Sequence, residues 1–144
     1  MSFREDFAEN IVKVLKDMAD PKPILVTRDP FDVEKLAITQ FPAILVSTGL
    51  EVRADHSMGI YRQSTIQYTL RAFVRGGNNK NVDKLRNELI ERIEETLDLD
   101  RTRGSDDSST TTQVFQINIP ERLPPLGEAV IQVNVRYRYK KGVV

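Results

Sequence analysis

Residues 128–140, Glu-Ala-Val-Ile-Gln-Val-Asn-Val-Arg-Tyr-Arg-Tyr-Lys, alternate apolar and polar side chains. Ala129, Ile131, Val133, Val135, Tyr137 and Tyr139 make one set; Gln132, Asn134, Arg136, Arg138 and Lys140 make the other, with Val130 the one exception. A period of two held this long predicts a strand with one face in a core and one in water. At ~3.3 Å per residue it runs roughly 40 Å, longer than most strands. A second long strand is predicted over 62–75, where Ser64, Ile66, Tyr68, Leu70, Ala72 and Val74 alternate with Thr65, Gln67, Thr69, Arg71, Phe73 and Arg75. Tyr68, Leu70, Val133 and Val135 are the expected core members of these two strands.

Elsewhere the period changes to that of a helix. Phe3, Phe7, Ile11, Val14, Leu15 and Met18 form one stripe over 3–19, opened by a Ser2/Glu5 capping box and closed by Asp20-Pro21-Lys22-Pro23. Val82, Leu85, Leu89, Ile93 and Leu97 step by three and four, predicting a helix over 81–98 after the break Gly76-Gly77-Asn78-Asn79. Shorter apolar runs predict strands at 24–27, 43–47 and 114–119, the second covered on both faces. Asp29-Pro30 reads as the cap and first turn of a helical turn reaching Leu36. Residues 101–112 contain nothing apolar and are expected to be a mobile loop. The implied fold class is α+β: a mixed, mainly antiparallel sheet with two long strands and two main helices packed on one face, within a single domain spanning 1–144.

Composition narrows the function classes. The 144 residues carry 21 basic and 21 acidic side chains, so no net field draws the chain to nucleic acid or membrane. Without cysteine there is no disulfide framework and no thiolate metal site. No apolar run approaches the ~20 residues that span a bilayer, and the charged start is unlike a signal peptide; a cytoplasmic, non-secreted chain is the expectation. The one histidine, His56, stands beside Arg53, Asp55 and Ser57, but neighbours on one short segment point different ways and a working triad draws on separate segments. Glu88, Glu91, Glu94, Glu95 and Asp98 fall off the apolar stripe of their helix and read as a solvated face. No cofactor, metal or catalytic residue is expected.

Charge is nevertheless segregated by element. The strand over 62–75 carries Arg62, Arg71 and Arg75 and no acid, whereas 81–100 holds seven acids against three bases. A nucleic-acid module using Arg71, Arg75, Arg136 and Arg138 is one reading, but Tyr68, Tyr137 and Tyr139 lie on the opposite register, where no base can stack on them. The other reading is a subunit interface in which Arg71, Arg75 and Arg136 of one copy meet Glu88, Glu91 and Glu95 of the next.

The order of elements, with the segments FPAILVSTGLE at 41–51, YTLRAFVRG at 68–76 and LPPLGEAVIQVNVRYRY at 123–139, resembles the tail-terminator, or tail-completion, proteins of long-tailed bacteriophages, also described as minor tail or head–tail joining proteins. The resemblance implies a virion structural protein, not an enzyme. Its copies form a ring, a hexamer in that family, that caps the tail tube, stops its polymerisation and docks to the head connector. DNA passes through such a ring without being read, and its place is the head-proximal end of the tail after assembly in the host cytoplasm. A small enzyme built on Arg53, Asp55 and His56 is the rival from another class.

Overall fold

A computed structural model describes residues 3–54, 61–76, 81–107 and 109–140. Five strands form one sheet: β1 (Leu25–Thr27), β2 (Ala43–Ala54), β3 (Tyr61–Arg75), β4 (Thr111–Asn118) and β5 (Leu126–Lys140). Their order is β1-β2-β3-β5-β4, with β1 parallel to β2 and every other pairing antiparallel. With the helices α1 (Phe3–Lys16) and α2 (Val82–Leu99) the fold is α+β, as the periodicities predict.

The pairing of β3 with β5 shows why two alternating sequences make one core. Leu70 lies opposite Ile131, Tyr68 opposite Val133 and Ile66 opposite Val135, so both apolar sets project from the same face. All six are fully buried, and they share one cluster with Phe7, Ile11 and Leu15 of α1 and Leu89, Ile93 and Leu97 of α2. Each such aliphatic side chain contributes about 1.5–3 kcal/mol on burial. Phe3 and Phe7 of α1 close over Tyr137 at ring separations of 5.0 and 5.4 Å. Gly127 sets the approach of α2: a Cβ there would lie 2.6 Å from Cγ1 of Val82 and 3.0 Å from Cγ2 of Val74.

The opposite face is covered at one end only. There Phe73 and Ala43, register partners, are buried with Val33 under Phe31, Leu36 and Phe41 of the connection between β1 and β2. Further along, Thr65, Gln67, Thr69, Gln132 and Asn134 are half-exposed.

Several elements differ from expectation in their bounds. The helical turn begins at Asp32, not Asp29: Oδ1 of Asp32 accepts from the Glu34 amide at 3.1 Å and a single turn, Val33–Lys35, follows, with another at Ile38–Gln40. β2 passes through Gly49 by a bulge between Thr48 and Glu51 and continues to Ala54. Asn81 caps α2 through its side-chain oxygen, which accepts from the amides of Asp83 and Lys84. Ser2 of the expected capping box and 77–79 of the expected break lie outside the described residues.

At 101–112, expected to be a mobile loop, the described residues up to Thr110 are turns and irregular backbone, but they are held by polar contacts. Thr111 and Thr112 already belong to β4, and Arg103 is 2% exposed. Its Nη2 donates to the carbonyl of Leu97 at 2.6 Å and to that of Asp100, satisfying acceptors that the end of α2 leaves open. Arg103 and Gly104 reach this position with φ of +53° and +76°. Asp107 accepts from Nε of Arg138 at 2.7 Å, and Thr112 donates to the Arg101 carbonyl. Polar anchoring replaces the missing apolar burial, a device that a hydropathy pattern does not register.

Two outcomes follow for stability. Val133→Asp places an unpaired charge at the centre of the β3–β5 core and costs several kcal/mol; a wild-type melting temperature for that variant contradicts the register. Arg103→Met keeps the apolar stem but removes the donors, lowering stability by about 1–3 kcal/mol, and amide exchange accelerates in the last turn of α2.

Candidate assembly surfaces

Arg71 and Arg75 in β3 and Arg136 in β5 occupy the odd and even registers that face away from the helices, as Thr65 opposite Arg136 and Arg71 opposite Val130 require. Glu88, Glu91 and Glu95 are exposed on α2, which packs against the other face of the same sheet. The two sets therefore lie on opposite sides of the molecule, and no ion pair joins them within the chain among the described residues. Glu95 accepts from Arg92 at 3.0 Å on its own helix.

The three arginines are not equivalent. Arg71 holds Glu128, whose side chain is 2% exposed: Nε and Nη2 of Arg71 lie 2.8 and 2.7 Å from Oε2, while Nε of Arg122 donates to Oε1 at 2.8 Å. Both guanidinium groups stand over the ring of Phe73, at 5.5 and 5.4 Å from its centroid. Arg71 supplies two of the three polar contacts of this buried carboxylate, so it is first a structural residue. Arg75 and Arg136 make no ion pair with another described residue. Arg75 borders a cleft of about 580 Å³ with Glu34, Arg122 and Glu128.

Arg53, the described member of the small-enzyme reading, turns to Glu51. That carboxylate sits on the helix-covered face and gathers Arg4, Arg53 at 3.3 Å, the Ser64 hydroxyl at 2.7 Å and the Tyr137 hydroxyl at 3.2 Å. Burial pushes the Glu51 carboxyl up, but the hydrogen bonds from Ser64 and Arg4 and the charge of Arg4 bring it below its ordinary value. Arg53 also lies over the Tyr139 ring at 4.5 Å, and the Tyr68 hydroxyl donates to the Arg4 carbonyl at 2.9 Å. The cluster ties α1 to β2, β3 and β5. Asp55 and His56 lie outside the described residues. No group of three or more His, Asp or Glu among the described residues is placed to hold a metal ion, and no described helix is long and apolar enough to cross a membrane.

Sequence reasoning missed Glu51, Glu128 and Arg103 as structural centres. Glu51 and Glu128 draw partners from distant segments, and Arg103 bonds nearby backbone carbonyls, so no spacing of side-chain types announces any of them. For a nucleic-acid interface, Tyr68, Tyr137 and Tyr139 are buried beneath the helices, while the four arginines of that reading lie on the other face. Compared with models of known protein families and with curated proteins, the chain matches none.

Acid titration tests the Glu51 cluster. Its folded pKa is depressed, so its contribution is fully present above the ordinary value of 4.5 and is lost as the pH falls through the lower folded value. Glu51→Gln lowers stability by about 1–3 kcal/mol at pH 7 and has a smaller effect at pH 3, read from urea midpoints. An equal loss at both pH values overturns the assignment.

Proposed function

We propose that this chain is a ring-forming structural subunit of the phage tail-terminator type, which caps the tail tube, stops its polymerisation and joins tail to head. The observation that carries the reading is the separation of Arg75 and Arg136, which make no ion pair among the described residues, from the acidic stripe Glu88, Glu91 and Glu95 across one subunit. A ring is built from heterologous contacts, in which a patch on one copy meets a different patch on the next, and charges of opposite sign on opposite sides suit that geometry. The mixed sheet under a helix layer agrees with the α/β sandwich that the resemblance implies. The working surfaces meet further copies, the tail-tube protein and the head connector, and the chemistry asks for no catalytic group or cofactor. The hexameric count comes from the resemblance alone.

Exposed ion pairs are each worth at most about 1 kcal/mol, so ring formation through them is weak, salt-sensitive and favoured by a tube end that gathers the subunits. The test reverses Arg75 and Arg136 to Glu. Arg71 is left intact, because its reversal sets a like charge against buried Glu128 and damages the fold. The double variant melts like the wild type, sediments as smaller species at low salt and loses control of tail length; Glu88→Arg with Glu91→Arg restores part of the assembly. If the wild-type chain neither forms rings nor binds tail tubes, the function is wrong. If the reversed protein assembles normally, only the charged interface is.

A further inference from the structure

We infer that copies of this chain join along their sheets, the outer edge of β4 in one copy against the outer edge of β2 in the next. The inference rests on the self-assembly part of the reading above and names a contact separate from the charged faces, because copies joined edge to edge keep the basic sheet face and the helix layer on opposite sides. β4 ends the strand order, and β1 covers β2 only at Ala43–Leu45. Among the described residues the outer backbone edges of 111–118 and 46–54 therefore have no neighbouring strand.

Direction fits. β2 and β5 run one way, β3 and β4 the other, so a second copy placed in the same sense brings its β2 antiparallel to β4. That is the pairing already used at three of the four junctions in the sheet. The side chains fit as well. Exposed sheet edges are normally guarded by lysine, proline or other charges, yet β4, Thr-Thr-Gln-Val-Phe-Gln-Ile-Asn, carries no charge and no proline. On the β2 edge Glu51 turns inward to Ser64 and Tyr137, leaving Leu50 and Val52 exposed at 65% and 56%. Phe115 and Ile117 of β4 are exposed at 41% and 38%.

Each edge contains one bulge, between Thr48 and Glu51 in β2 and between Val114 and Gln116 in β4, and an exposed apolar residue, Leu50 or Phe115, stands in it. Bulges interrupt the ladder and blunt an edge toward arbitrary strands. A partner edge with an apolar bulge of its own meets that irregularity with like surface, so the pairing selects another copy over an unrelated strand. Because the two edges lie at opposite ends of the sheet, the contact is heterologous and propagates into a ring or filament instead of closing as a two-fold dimer.

The chain has no cysteine, so engineered thiols report the contact directly. Single variants Leu50→Cys, Val52→Cys, Phe115→Cys and Ile117→Cys are made in the full chain at exposed positions and oxidised mildly at assembling concentrations. Mixing a β2 variant with a β4 variant gives a disulfide-linked dimer for at least one of the four combinations, while each variant alone gives none. As a second arm, Phe115→Lys with Ile117→Lys keeps the wild-type circular dichroism and raises the concentration needed for assembly by about tenfold or more, since lysine guards an edge. Efficient cross-linking of a single β4 variant with itself overturns the inference in favour of a two-fold β4 pair. Assembly of all variants without any mixed disulfide overturns the edge contact and leaves the ring reading standing. Cross-linked assemblies that fail to bind tail tubes sustain the edge contact and sink the capping function; a chain that stays monomeric throughout sinks both.

Discussion

The in-phase pairing of β3 with β5 is the constraint on which the other parts of the molecule depend. Each strand carries its apolar residues at every second position, and the register sets the two rows side by side on one face. A shift of one residue would turn Tyr68, Leu70 and their neighbours toward water and Arg71 into the core, so the register is strongly specified. The helices then have only one place to go. α2 lies across β3 and β5, α1 across β1 and β2, and both bury their stripes in the same cluster.

That one-sided core leaves polar residues to organise the margins. Glu51 fastens α1 to the sheet, Glu128 joins β3 to the connection before β5, and Arg103 closes the end of α2. Each is a charged group taken from water and kept affordable by its partners, because a buried charge without them costs several kcal/mol. Arg103 is the least complete case: Nε and Nη1 are buried without a partner among the described residues. Its desolvation lowers the guanidinium pKa, while the charges of Asp100 and Asp98 oppose that shift.

The sequence was legible where a single period persisted. Val133 and Leu70 were identifiable as core, and Leu89 and Ile93 as a helix stripe, because burial on one face writes a local repeat. It was illegible where the chain changes period or acts at long range. The apolar run of the predicted strand stops at 47, but a bulge between Thr48 and Glu51 carries β2 on to Ala54. Asp29 resembled a cap because proline follows it, yet Asp32 does the capping. The 101–112 segment looked unsupported because hydropathy counts apolar atoms and is blind to an arginine that fills a pocket of carbonyls. Arg71 read as a free surface charge since its partner, Glu128, is distant in sequence.

The same distinction bears on how copies would recognise one another. Exposed charges such as Arg136 and Glu91 act over a Debye length of about 8–10 Å and weaken with salt, so they orient approaching copies more than they hold them. Strand edges act only at contact, through backbone hydrogen bonds and apolar side chains whose attraction salt does not screen. A subunit that must stay dispersed until a template is present is well served by this division. Steering without strong holding keeps free copies apart, and edges broken by bulges demand a matched partner. An assembly held chiefly by edges survives moderate salt once formed, whereas one held chiefly by ion pairs dissolves, so the salt dependence of dissociation against that of association separates the two contributions.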